Sequence, residues 1–125
     1  VMLYPLAKRV TYWPQLVLGI VFNWGALLGW PAVTGQYPGW PALLLYLGCL
    51  CWTLGYDTIY AHMDRADDAA AGVKSSALAL GARTKPFLWA AYGAAAAFWA
   101  AAGYLCDLRW PFHAGLALAA AHLVW

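Results

Sequence analysis

Long apolar runs without charge constrain this chain more than any other feature of its sequence. No Asp, Glu, Lys or Arg occurs in residues 10–56, and only 10% of the 125 residues are charged. Soluble domains carry roughly 25% charged residues, and a soluble fold of this length could not bury so many apolar side chains. The sequence therefore predicts an all-α integral membrane protein, in which lipid takes the place of part of the core.

Four segments of the chain are candidates for membrane helices, since a spanning helix needs roughly 20 predominantly apolar residues. We predict helices at about 14–34, 40–61, 86–106 and 111–125, with a loop at 62–85. The fourth is too short to cross a bilayer core. Because the chain opens directly on a charged segment and stops within an apolar run, we expect a fragment of a longer protein, with about four helices of a transmembrane bundle.

The positions of the basic residues predict an orientation. Three spans place residues 4–13 and 62–85 on one side of the membrane. Six of the seven basic residues lie in these two segments: Lys8, Arg9, Arg65, Lys74, Arg83 and Lys85. Cytoplasmic loops carry an excess of Lys and Arg, so we expect the loop 62–85 on the cytoplasmic side. The net charge of +2 is too small to indicate a nucleic-acid partner.

Acidic residues cluster where the second predicted helix leaves the membrane. Asp64 and Asp68 are four residues apart and Asp57 precedes Asp64 by seven, so the three carboxylates share one helical edge with Tyr60. Like charges at this spacing repel each other. Mg²⁺, a hard cation that prefers oxygen ligands, would relieve the repulsion. A carboxylate at the membrane end of an apolar helix is also costly and often functional.

Basic residues accompany this acidic edge. Arg65 and Lys74 are close to it in sequence, and Lys8 and Arg9 lie on the same predicted side of the membrane. Mg²⁺ usually bridges one or two carboxylates to substrate phosphates, and cationic side chains bind phosphate oxygens. The combination is typical of a metal–diphosphate site, although the spacing alone leaves an ordinary solvated loop as an open alternative.

Two runs of residues resemble the UbiA prenyltransferase superfamily. One is similar to its second aspartate-rich motif: Tyr56-Asp57-Thr58-x-Tyr60-Ala61-x-x-Asp64-x-x-x-Asp68-x-x-x-Gly72-x-Lys74-Ser75. The other lies upstream: Tyr4-Pro5-x-x-Lys8-Arg9-x-Thr11-x-x-Pro14-Gln15-x-x-Leu18-Gly19. The resemblance covers residues 1–85 by motif and the remainder by hydropathy only. Two motifs in the right order make it specific.

The resemblance implies a bundle of nine transmembrane helices, of which this chain would supply the fifth to the eighth. It implies Mg²⁺ bound by Asp64 and Asp68, with Asp57 and Tyr60 as further catalytic residues. The implied diphosphate-binding residues are Lys8, Arg9, Arg65 and Lys74. Within the superfamily, the two runs favour transfer of a polyprenyl group from polyprenyl diphosphate to 4-hydroxybenzoate in ubiquinone biosynthesis. That reaction would occur in a bacterial or mitochondrial inner membrane, with the site on the cytoplasmic or matrix side.

One part of the superfamily's pattern has no match in this sequence. Its first motif has the form Asn-Asp-x-x-Asp-x-x-x-Asp, so we expect the remainder of a parent chain to supply it and this chain alone to be inactive. Alternatives are the haem O, menaquinone, homogentisate or chlorophyll branches, or a non-enzymatic membrane helical fragment. A CDP-alcohol phosphotransferase is disfavoured because its motif begins with Asp-Gly, which is missing here.

Other residues carry further expectations. The implied reaction passes through an allylic carbocation, which the faces of Tyr60, Tyr56 or Trp52 would stabilise. We predict that Asn23 hydrogen-bonds across helices and that His62 is exposed to solvent. The spacing of the glycines at 25 and 29 is typical of close helix approach.

Overall fold

Helices account for all regular secondary structure in the computed structural model, which describes residues 13–63, 70, 72 and 76–124. This confirms the predicted all-α class. The elements in chain order are α1 (Pro14–Phe22), α2 (Gly25–Thr34), α3 (Trp40–Met63), α4 (Ser76–Leu80), a 3₁₀ turn (Gly81–Arg83), α5 (Thr84–Leu105) and α6 (Trp110–Val124). We call the C-terminal end of α3 the loop end of the bundle, and the N-terminal end of α3 the far end.

The first apolar segment forms two helices, α1 and α2, rather than one. The backbone carbonyls released by the break find new donors. The side-chain amide of Asn23 donates to the carbonyl of Gly19 at 2.8 Å, and the Tyr46 hydroxyl donates to the carbonyl of Ile20 at 2.7 Å. Asn23 also donates to Thr53 Oγ1 at 3.0 Å, which confirms the predicted bond across helices. Such bonds stabilise a break inside a membrane, where no water would satisfy the backbone.

Two segments of the described chain are long and apolar enough to cross a membrane. They are Pro14–Thr34, with a mean hydropathy of 1.7, and Trp40–Met63, with a mean hydropathy of 1.4. Helix α5 is not one of the two. Its 22 residues extend over about 33 Å, a length that matches the hydrocarbon core of a bilayer.

The most extensive packing joins α3 to α5, and it depends on glycines that receive aromatic rings. A Cβ added to Gly55 would lie 2.8 Å from the ring of Tyr92, and one added to Gly48 would overlap the indole of Trp99. Between these two positions, the ring of Trp52 lies 5.0 Å from that of Tyr92 and 5.7 Å from that of Trp99, measured between centroids. Small residues let membrane helices approach closely, and here the approach is fixed by large rings.

The other glycines differ in their surroundings. Gly19 of α1 lies against α3, where an added Cβ would be 3.4 Å from Leu50 Cγ. Gly103 of α5 faces the ring of Phe112 on α6. By contrast, a Cβ on either Gly25 or Gly29 would meet no atom of the described residues within 4 Å. The close approach predicted for that pair is therefore not seen.

Candidate active site

The loop end of α3 carries the described part of the predicted site. Asp57 is half-buried, and its Oδ2 atom is fully buried. Tyr60, three residues later, is 61% exposed. Its ring meets the ring of half-buried Tyr56 edge-on, with centroids 6.1 Å apart and planes at 90°. Since residues three apart are neighbours on a helix surface, Asp57 and Tyr60 form one edge of α3, which we call the site edge.

The remaining predicted site residues lie outside the described part of the chain. They are Lys8, Arg9, Asp64, Arg65, Asp68 and Lys74. Within the described residues, no group of three or more His, Cys, Asp or Glu side chains could hold a metal ion. Asp64 and Asp68 are not among the described residues, so the paired metal ligands stay a prediction from the sequence.

Gln15, in the first turn of α1, is a buried polar side chain that belongs to the upstream run of the family resemblance but has no predicted role. It is 2% exposed, and its Oε1 atom accepts no hydrogen bond from the described residues. One turn further along α1, Gly19 lies against Leu50 and Thr53. The signal in the sequence was a glutamine at the second position of an otherwise apolar helix.

Two polar contacts join the loop end of α3 to the segment that follows residues 64–75. The hydroxyl oxygens of Thr58 and Ser76 are 3.1 Å apart, and His62 Nε2 lies 2.9 Å from Thr84 Oγ1. We call these two contacts the polar clamp. The expectation that His62 is simply exposed to solvent is wrong, because its half-buried ring is hydrogen-bonded to α5.

The three aromatic residues expected to stabilise a carbocation do not share one environment. The ring of Trp52 packs against two aromatic rings of α5, inside the interface between α3 and α5. Tyr60 instead belongs to the site edge, and the ring of Tyr56 contacts the ring of Tyr60. The structure therefore leaves the two tyrosines as candidates near Asp57 and gives Trp52 a packing role.

An apolar cavity of about 600 Å³ lies at the far end, between α2, α3, α5 and α6. Its lining includes Trp30, Ala42, Trp99 and Phe112. Ala42 precedes Asp57 by fifteen residues on α3, or about 22 Å along the helix axis. The cavity is therefore remote from the site edge.

Comparison with known proteins identifies relatives over nearly all of the chain. The model of the UbiA prenyltransferase family matches residues 1–125. The chain is 53% identical to a mitochondrial 4-hydroxybenzoate polyprenyltransferase of Drosophila melanogaster, over 99% of the chain and 32% of the relative. Proteins of the same name are 53% identical in Caenorhabditis elegans, over 98% of the chain and 34% of the relative, and 52% identical in Arabidopsis thaliana, over 98% and 30%.

The chain spans about a third of the length of these curated relatives. No solved structure matches it.

Proposed function

The chain belongs to the UbiA prenyltransferase family, and on that premise we propose that it forms part of a membrane enzyme that transfers a polyprenyl group from polyprenyl diphosphate to 4-hydroxybenzoate, as in ubiquinone biosynthesis. The observation that carries the proposal is the identity of about one half, over nearly the whole chain, to relatives that bear the name 4-hydroxybenzoate polyprenyltransferase. Since those relatives are about three times as long, we assign the activity to a parent enzyme of that length.

We propose that the parent enzyme uses Mg²⁺, held by Asp64 and Asp68, which follow Met63 in the sequence. The donor chemistry of the site edge fits a hard cation, because Asp57 offers carboxylate oxygens and one of them is already withdrawn from solvent. When bound, Mg²⁺ would neutralise charge on the diphosphate leaving group. Asp57, seven residues before Asp64, would support the paired carboxylates from two turns further inside the membrane.

The chain's other residues would then act on the substrate. Lys8, Arg9, Arg65 and Lys74 would bind phosphate oxygens while the allylic C–O bond breaks and diphosphate leaves. The faces of Tyr60 and Tyr56 would stabilise the resulting carbocation by about 0.5–2 kcal/mol each. A ring carbon of the acceptor forms the new C–C bond, and a base takes the displaced ring proton. The surrounding apolar helices would exclude water, which would otherwise capture the cation.

The first aspartate-rich motif of the family has no match in these residues, so the proposal requires the rest of the parent enzyme. We propose a mitochondrial or bacterial inner membrane as its location, with the loop end facing the matrix or cytoplasm. The distribution of Lys and Arg supports that orientation.

The proposal is tested by assaying the parent enzyme in lipid vesicles with polyprenyl diphosphate and two acceptors, 4-hydroxybenzoate and homogentisate. We expect Mg²⁺-dependent product with 4-hydroxybenzoate, and none from the 125-residue chain alone. A preference for homogentisate as acceptor would instead assign the parent enzyme to another branch of the family. Mg²⁺-independent turnover would remove the metal proposal, and an inactive parent would favour a non-enzymatic membrane protein.

A further inference from the structure

The Thr58–Ser76 contact of the polar clamp is fully buried. Both residues are 0% exposed, and their hydroxyl oxygens are 3.1 Å apart, so one hydroxyl donates to the other. The hydroxyls of Thr34 and Thr53 find their acceptors within their own helices, since each donates to the backbone carbonyl four residues earlier. The contact of Thr58 instead reaches across eighteen residues of chain. A buried hydroxyl is costly to leave unpaired, so this pair favours one arrangement of α3 against α4.

The second contact of the clamp has a defined direction. The Thr84 hydroxyl donates to the carbonyl of Gly81 at 2.8 Å, and a carbonyl can only accept. The single hydroxyl proton of Thr84 is therefore committed. Its oxygen must accept from His62, which means that Nε2 of the imidazole carries a proton. The ring of His62 is thus held to the first residue of α5 as a donor.

The polar clamp contacts α3 on a side away from the site edge. At about 100° per residue, Thr58 and His62 lie about 100° and about 140° around the helix from Asp57. They are four residues apart, so the two contacts stack one turn above the other. A rotation of α3 about its own axis would lengthen both contacts at once, and their separation along the axis also opposes a tilt of the last turn. Neither contact involves the carboxylates, so these are positioning residues.

We propose that the polar clamp sets the rotation of the last turn of α3, so that the carboxylate of Asp57 is presented to Mg²⁺ and the diphosphate together with those of the predicted metal ligands Asp64 and Asp68. The inference rests on the proposed function. Asp64 directly follows Met63, the last residue of α3, so we infer from the sequence that the orientation of this turn bears on the predicted metal ligand. Loss of the clamp should leave the bundle folded and weaken the metal site.

The test measures the Mg²⁺ concentration that gives half-maximal activity in the parent enzyme. Thr58→Val removes the hydroxyl and keeps the shape, and Thr34→Val makes the same change at an exposed residue toward the far end. We expect Thr58→Val to raise the half-saturating Mg²⁺ concentration about fivefold, with KM for 4-hydroxybenzoate little changed. The melting temperature should fall as well, because the buried Ser76 hydroxyl loses its partner. Thr58→Ser should restore the unmodified value, and Thr34→Val should not alter it.

His62 provides a second, independent pair of variants. The side-chain amide of His62→Gln can still donate to Thr84, whereas His62→Leu cannot, so the leucine variant should need more Mg²⁺ than the glutamine variant. If Thr58→Val does not fold, the difference in Mg²⁺ requirement between His62→Leu and His62→Gln tests the proposal by itself. The clamp proposal is overturned if the variants lower yield or melting temperature and leave the half-saturating Mg²⁺ concentration unchanged.

Asp64→Ala, prepared in parallel, separates this inference from the proposed function. Full transfer activity in Asp64→Ala would overturn the proposed metal site and the clamp with it. An inactive Asp64→Ala, together with an unchanged Mg²⁺ requirement in the clamp variants, would overturn the clamp alone.

Discussion

The two ends of α3 are built from different kinds of contact. At the far end, the contacts depend on volume: Ala42 is 2% exposed, and Gly48 receives the indole of Trp99. Toward the loop end, Tyr92 still packs on Gly55, and polar contacts are added: hydroxyl and imidazole groups of Thr58 and His62 pair with residues of α4 and α5. One apolar helix therefore has an end that fixes its packing and an end that positions polar groups. Substitutions at the far end should therefore lower stability, whereas substitutions at the loop end should lower activity.

The largest effect is expected from Asp64→Ala in the parent enzyme. If Asp64 holds Mg²⁺ against the diphosphate, its loss removes several kcal/mol of transition-state stabilisation, and kcat/KM should fall by about three orders of magnitude. The measurement is prenyl transfer to 4-hydroxybenzoate at saturating Mg²⁺.

Asp107→Asn is the matched control for that variant. Asp107 is exposed, lies after α5 toward the far end, and has a left-handed backbone with φ 52°. Asparagine adopts this conformation readily, so the control removes a charge without straining the turn. Equal losses of activity in Asp64→Ala and Asp107→Asn would contradict a site at the loop end.

A smaller effect, on stability rather than chemistry, is expected at the far end. Gly48→Ala would place a methyl group against Trp99, and overpacking of this kind costs about 1–3 kcal/mol. Gly29→Ala should cost little, because the space around Gly29 is open within the described chain. Thermal unfolding in detergent or vesicles compares the two variants.

Activity per folded molecule provides the second reading of the Gly48→Ala variant. We expect it to match the unmodified enzyme, since Gly48 is remote from the site edge. Normal stability with impaired prenyl transfer in Gly48→Ala would contradict the separate roles of the two ends of α3. Trp99→Leu in the Gly48→Ala background should recover stability by making room for the methyl group.

The smallest effect is expected between the two ends, at the break in the first apolar segment. A double-mutant cycle with Asn23→Leu and Thr53→Val isolates the bond between these side chains. Hydrogen bonds between membrane helices contribute about 0.6 kcal/mol on average, so a coupling energy of that size is expected from unfolding measurements. A coupling near zero would show that the bond does not stabilise the break.

The sequence predicted features that depend on composition and local period. The helical class followed from the apolar runs, and the cross-helix bond of Asn23 followed from a lone amide in an apolar helix. The expected single helix at 14–34 is divided after Phe22, and side chains distant in sequence, such as Tyr46, supply donors to the broken turn. Local periodicity carries no information about such donors.

The candidate site was predictable only in part, for the same reason. Spacing on one helix placed Asp57 and Tyr60 on one edge. The partners of Thr58 and His62 lie eighteen and twenty-two residues away in sequence, so their pairing depends on how α4 and α5 pack. Trp52 was expected near the substrate and packs against α5, since aromatic residues serve packing and binding equally well in an apolar helix.

The most direct test of a metal–diphosphate site at the loop end is binding without turnover. Polyprenyl diphosphate is titrated into the parent enzyme with no aromatic acceptor, at increasing Mg²⁺, and the dissociation constant is compared with those of Asp64→Asn and Gly48→Ala. We predict that Mg²⁺ strengthens binding in the unmodified and Gly48→Ala proteins, and that this dependence is lost in Asp64→Asn. Unchanged Mg²⁺-dependent binding in Asp64→Asn would contradict the assignment of the site to the loop end of α3.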